Sequence, residues 1–345
     1  MSENHKNMSG RGIVNGMRVC YNDEEKERSL TVYIFTTMIT PYTEAGAVDY
    51  ELARKYVDFY FEGGLDGIFA ICQSSEIFYL SLEERVRLNR VVYERAKELS
   101  RLHDRPFTVV SSGHVSDTLE EQARELNAVW ESGTDALILI TNRLAAEDAG
   151  DEVWIENCRR LIEKLPPEAP LGLYECPYPY KRLVTPRVLD FCLSTGRFRF
   201  MKDTSCDSAV IRARCEQLAG SEFRLLNANC QTLLDSLQNG ADGYCGIMCN
   251  YHPRLYAWLG HNYKRSPELA KLVQSVIGPF GFTEVGLPYP LTAKYHMGLC
   301  GYPTPNIARN RKSEELTAYA EECMHQMKYA TDALEKYLEE MGETL

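Results

Sequence analysis

The chain has 345 residues, enough for one large domain or two ordinary ones with a substantial core. It is 44% hydrophobic and 25% charged, and 49 acidic against 38 basic residues leave a net charge of −11. That balance argues against nucleic acid or an anionic membrane surface as a partner, and no apolar stretch approaches the ~18 residues of a membrane span.

Residues 1–30 are polar, carry the charge run Asp23–Arg28 and lack the apolar core of a secretory signal. They read as a flexible arm. The twelve cysteines are scattered, several within apolar runs, as Cys72, Cys176 and Cys245 are. With no CxxC pair, they read as reduced buried thiols of a cytoplasmic protein rather than disulfides or a zinc site.

From Thr31 onward, short apolar β-branched runs alternate with longer amphipathic ones. Strands are predicted over Val32–Ile39, Gly67–Cys72, Phe107–Ser112, Ala136–Thr141, Leu171–Cys176, Phe198–Asp203, Phe223–Asn227 and Gly243–Met248. Between and after them, helices are predicted over Asp49–Phe61, Leu82–Leu99, Thr118–Glu131, Glu152–Leu165, Pro186–Leu193, Ser208–Leu218, Thr232–Leu237 and Pro253–Leu259. Ser81 with Glu84 forms a capping-box pattern, Asp117 is placed to cap the next helix, and Pro186 suits a first turn. Eight βα units make a (β/α)₈ TIM barrel over 31–260 the economical fold. A doubly wound sheet is the alternative, but no glycine-rich phosphate loop supports a nucleotide-binding version of it. Beyond Gly260 only helices are predicted, over Pro267–Ile277, Leu291–Leu299 and Ser313–Met341, giving a C-terminal helical region over 261–345.

In a barrel of this kind, chemistry belongs at the C-terminal ends of the strands. Lys202 closes the run Phe198–Asp203. A lysine there is costly to desolvate, and a neutral amine is a nucleophile toward carbonyl carbon. The competing reading is a structural lysine paired with Asp203 or Asp207. Tyr174 and the cluster Gln73–Glu76 fall at two further strand ends. An amine, a phenol and hydroxyl or backbone donors together suit a keto acid.

At these residues, from about Val32 to Asn310, the chain resembles the dihydrodipicolinate synthase/N-acetylneuraminate lyase family of class I aldolases. Thr37–Pro41 is similar to the family's first strand and Thr-Pro turn, and Gln73–Glu76 to its Gly-Ser/Thr-Ser/Thr-Gly-Glu loop. Leu173–Pro177 is similar to the Tyr-Asn-x-Pro strand, and Met201–Asp207 to the segment with the Schiff-base lysine. Tyr174 and Lys202 lie 28 positions apart, as is usual in the family. The resemblance implies that Lys202 forms an imine with pyruvate or a related 2-keto acid while Tyr174 moves the proton. It assigns substrate binding to Thr37, Gln73, Ser74 and Ser75 and to the Cys245 carbonyl. It gives Glu76 the task of ordering its loop and Asp207 that of holding a turn. It implies no metal and no cofactor, and a homo-oligomer, tetramer or dimer.

Departures from the pattern fall at specificity positions. Gln73 replaces the hydroxyl that passes a proton to the tyrosine. Leu144 stands near the place of the synthase's subunit-crossing tyrosine, and Pro179 replaces its carboxylate-binding arginine. Lys181, Arg182 and Arg143 are the candidate replacement cations. The chain therefore reads as a Schiff-base lyase or aldolase other than an authentic dihydrodipicolinate synthase. A keto-acid-binding regulatory protein on the same scaffold is the alternative. A metal-dependent aldolase is disfavoured by seven histidines with no ligand-like clustering.

Overall fold

The computed structural model describes residues 31–345, apart from the side chains of 283–285; the arm expected over 1–30 lies outside the described residues. Eight parallel strands close a barrel in sequence order: β1 (Tyr33–Thr37), β2 (Gly67–Phe69), β3 (Thr108–Ser111), β4 (Ala136–Ile140), β5 (Leu171–Tyr174), β6 (Phe198–Asp203), β7 (Arg224–Asn227) and β8 (Gly243–Gly246). Closure sets Tyr33 opposite Gly243 and Phe35 opposite Cys245. The helices α1 (Tyr50–Glu62), α2 (Leu82–His103), α3 (Leu119–Glu131), α4 (Asp151–Ile162), α5 (Pro186–Thr195), α6 (Ser208–Gln217), α7 (Leu233–Gln238) and α8 (Pro253–Asn262) follow the strands in turn.

Most strands end before their apolar runs do, because the last residues of each run turn into the catalytic-face loops. After β2 the chain passes into a 3₁₀ turn at Gln73–Ser75, and after β8 into another at Ile247–Asn250. The Ser81/Glu84 capping box starts α2, and Pro186 occupies the first turn of α5. Asp117 does not cap α3. Thr118 does, accepting the Glu121 N–H at 3.2 Å, because Asp117 is drawn into an ion pair with Arg143.

Inside the barrel the rings of Phe35 and Phe200 lie 5.7 Å apart, and those of Phe69 and Phe200 6.2 Å apart. Gly67 makes room for them, since a Cβ there would come within 2.5 Å of the Phe35 ring. The aromatic layer fills the barrel beneath Lys202.

The C-terminal helices are α9 (Pro267–Val285), α10 (Leu291–Leu299) and α11 (Ala318–Glu340). α9 runs past its expected end at Ile277 and through Pro279. Ala270, Val273 and Ile277 are buried where α9 packs on α7, α8 and α11, and this packing offsets the one backbone hydrogen bond the proline removes. The stretch expected as one helix from Ser313 is instead a 3₁₀ turn at Ser313–Glu315 followed by α11, which Thr317 caps. α11 buries Met324, Met327, Leu334 and Leu338, and Arg254 of α8 reaches its Glu335 at 2.9 Å. No described helix is long and apolar enough to cross a membrane, and the described cysteines are free thiols.

Candidate active site

Tyr174 ends β5 and lies directly across from Lys202 on β6. Both side chains point to the interior at the C-terminal end of the barrel and are almost fully buried. Lys202 Nζ sits 4.4 Å from the centroid of the Tyr174 ring, whose other side meets Phe69 edge-on at 5.4 Å between centroids. Because side chains alternate along a strand, Asp203 points the opposite way from Lys202. Asp203 bonds Arg214, and Asp207 caps α6 by accepting the Ala209 N–H at 2.8 Å. The two carboxylates expected for a merely structural lysine are therefore committed elsewhere.

Behind the pair lies a buried polar knot. Arg214 of α6 donates to Asp203, to both oxygens of Glu175 at 2.7 and 3.3 Å, and to the Val184 carbonyl at 2.6 Å. Glu175 also accepts the Thr204 and Val184 amides at 2.8 and 2.6 Å. Each terminal nitrogen of the guanidinium is matched to two acceptors, which is what makes its burial tolerable. Glu175 and Asp203 are the residues immediately after Tyr174 and Lys202, so the knot fixes both strand ends.

The Tyr174 hydroxyl donates to Gln73 Oε1 at 3.4 Å, and the Cys176 thiol donates to the same oxygen at 3.4 Å. Burial pushes the Tyr174 phenol well above its ordinary value, with Cys176 adding to the rise. Burial likewise pushes the Cys176 thiol up to about 11. Both groups hold their protons at neutral pH.

Gln73, Ser74, Tyr174 and Lys202 line one cavity of about 480 Å³ at the C-terminal mouth of the barrel. Thr37, Ser75 and Cys245 stand behind its wall. Thr37 accepts the Ser74 hydroxyl at 3.0 Å. The Ser75 hydroxyl is turned inward to the Ala70 carbonyl at 2.8 Å, and its amide donates to the Cys72 carbonyl at 3.2 Å. Cys245 is wholly buried, its thiol pushed up to about 12 by desolvation against the opposing field of Lys202.

Of the three candidate cations, only Lys181 reaches the cavity. Arg182 lies 3.5 Å from Asp151, and Arg143 pairs with Asp117. Leu144 is buried in the core; of the aromatic residues near the strand ends, Phe78 packs against Tyr178 at 5.0 Å and Tyr180 donates to the Asn142 carbonyl at 2.8 Å. Asn310 and Arg311, from beyond α10, complete the lining. They lie outside the barrel-forming repeat, and nothing local in the sequence connects them with it.

An interior amine thus stands at a strand end facing a phenol, above a layer of aromatic rings. Residues 31–102 match the model of the Dihydrodipicolinate synthetase family. The chain is 25% identical over 225 residues to an uncharacterized DapA-like lyase of Chloroflexus aurantiacus, covering 64% of this chain and 71% of that one. It is 24% identical over 276 residues to the 4-hydroxy-tetrahydrodipicolinate synthase of Prochlorococcus marinus, covering 78% and 86%. The solved 4-hydroxy-tetrahydrodipicolinate synthase of Methylacidiphilum fumariolicum superposes with a TM-score of 0.77 at 18% identity, over 90% of this chain and 98% of that one. The chain is thus similar to the Dihydrodipicolinate synthetase family over residues 31–102 and to its curated synthases over most of its length, and it shares their barrel fold.

Proposed function

We propose that this protein is a Schiff-base lyase or aldolase acting on pyruvate or a related 2-keto acid. The observation that carries the reading is the placement of Lys202 Nζ 4.4 Å from the ring of Tyr174, free of Asp203 and Asp207. The Lys202 amine adds to the keto carbon. The carbinolamine then loses its hydroxyl as water, and the Tyr174 phenol supplies a proton to the departing oxygen. The resulting iminium withdraws electrons from the adjacent carbon, so a carbon–carbon or carbon–oxygen bond one position further out can break or form. The Ser74 hydroxyl, held by Thr37, is placed to take the substrate carboxylate.

The same reading makes this a member with a second substrate other than that of dihydrodipicolinate synthase. Gln73 Oε1 accepts from Tyr174 and has no proton of its own to pass on, Leu144 is buried, and Pro179 carries no charge. A homo-oligomer, dimer or tetramer, in the cytoplasm is carried over from the family's habit.

Incubation with pyruvate and borohydride tests the reading. A reduced adduct on Lys202, absent from Lys202→Ala, is expected. No adduct with pyruvate or any of a panel of 2-keto acids overturns it, and thermal stabilisation by pyruvate without an adduct would instead mark a binding protein.

A further inference from the structure

We propose that the cavity takes a 2-keto acid with a second carboxylate, and that Lys181 and Arg311 bind this distal group. The proposal rests on the imine reading only for which end of the substrate faces Lys202. Its first support is charge. The chain is net −11, yet among the described residues no Asp or Glu lines the cavity, while Lys202, Lys181 and Arg311 do. In so acidic a protein, a concave surface with only basic charged groups concentrates anions.

With Lys202 engaged at the keto carbon, two cations remain. Lys181 donates to the Thr204 carbonyl at 2.8 Å and meets no carboxylate among the described residues. Arg311 Nη1 donates to Glu315 Oε2 at 3.1 Å, and its other guanidinium N–H groups have no partner among the described residues. A guanidinium suits a planar carboxylate, which it binds through paired N–H groups. Glu315 offsets one of the two positive charges, so the pair matches a singly charged carboxylate better than a doubly charged phosphate.

The second support is that the backbone leading into Arg311 is pinned by the surrounding chain, leaving the half-exposed side chain to reach the cavity mouth. Residues 307–310 form a strap pinned to the start of the β2–α2 connection. Glu76, which follows the Gln73–Ser75 turn, accepts Lys294 Nζ at 2.8 Å with both side chains fully buried. Its other oxygen accepts the amides of Arg309 and, at 3.2 Å, Asn310. Lys294 also donates to the Ile307 carbonyl at 2.6 Å. Arg309 grips Glu84 through both terminal nitrogens, at 2.7 and 2.8 Å. The turn that lines one side of the cavity and the strap that carries Arg311 into it are thus one hydrogen-bonded unit, and Glu76 is the positioning residue that joins them.

Calorimetric binding to the full chain tests this with 2-oxoglutarate and 2-oxoadipate against their monocarboxylate counterparts of equal length, 2-oxopentanoate and 2-oxohexanoate. At least one dicarboxylate is expected to bind about tenfold or more tightly than its counterpart, a gap of about 1.4 kcal/mol. Arg311→Gln and Lys181→Gln are each expected to remove most of that gap while leaving the monocarboxylates within about twofold. Equal affinities, or a gap that survives in both variants, overturn the proposal. So does tighter binding of a phosphorylated 2-keto acid than of either dicarboxylate. The gap should persist in Lys202→Met. A persistent gap with no borohydride adduct on the unsubstituted chain would overturn the imine reading and leave this one standing.

Discussion

Tyr174 and Lys202 face each other across adjacent strands, and the residues that follow them, Glu175 and Asp203, are gripped by the same buried guanidinium, Arg214. The Tyr174–Lys202 pair and its mounting are interleaved along the chain: one face of each strand end is turned to the cavity, the next residue to the knot.

Removing the chemistry should leave the mounting intact. Tyr174→Phe is expected to fold, to keep some borohydride-trapped adduct and to lose about 10²–10⁴-fold in turnover, the usual worth of a positioned proton donor. Lys202→Ala should lose the adduct altogether. Steady-state kinetics and intact-protein mass measure the two effects separately. A Tyr174→Phe variant with unchanged turnover would remove Tyr174 from the mechanism.

Removing the mounting should do the reverse. Arg214→Met leaves Glu175 and Asp203 buried without their cation, a loss of about 3–5 kcal/mol in stability. Chemical denaturation should report it, and turnover should fall as well because both strand ends are released. Wild-type stability in this variant would show that the carboxylates find water or become protonated at little cost.

The Glu76–Lys294 pair behaves differently when broken one partner at a time. Desolvation lowers the Lys294 amine to about 8, with Glu76 opposing the shift. Lys294→Met strands the Glu76 carboxylate and should destabilise the fold by about 3–5 kcal/mol, whereas Glu76→Leu with Lys294→Met should recover a large part of that loss. Both should loosen the strap, so the affinity gap between dicarboxylates and monocarboxylates should shrink even where stability recovers. A double variant as unstable as the single one would contradict this account.

Acid sensitivity should set in early. His114 is buried with Nδ1 against Gln122 Oε1 at 2.8 Å and Nε2 accepting the Ile140 N–H at 2.7 Å, so a proton on Nε2 would oppose that N–H. Burial lowers it to about 4, and His296 to about 3. Both stay neutral in the folded chain while their unfolded counterparts take up protons below about 6.5. The unfolded state therefore binds more protons, and stability falls as pH drops from about 6.5 toward 4. From pH 7.5 to 5.5 each should cost about 1.4 kcal/mol, about 3 kcal/mol together. Urea denaturation across that range measures it, and a flat profile would contradict it.

The barrel was legible in the sequence because its eight strands announce themselves as short apolar runs at regular intervals, and β6 was placed to the residue. The Lys202–Tyr174 juxtaposition was legible once both fell at strand ends. What did not show was anything that depends on two distant polar residues finding each other. Arg214 and Arg309 look like ordinary helix and loop cations in the chain, and only burial marks Arg214 as half of a network. The resemblance gave Ser74 and the backbone amides around Ser75 to the substrate carboxylate; what it did not show is that the Ser75 hydroxyl turns inward to the Ala70 carbonyl, because a 3₁₀ turn sends successive side chains in different directions.

The aromatic layer of Phe35, Phe69 and Phe200 gives the Lys202 amine an apolar floor. Whatever reaches Lys202 enters from the upper rim and leaves by the same route. Arrival of a fresh substrate and departure of a spent product cannot then be independent events. They share one doorway whose frame is built partly from the barrel and partly from Asn310 and Arg311, well beyond its last strand. Alterations to that frame should be read in the rate of exchange as well as in affinity.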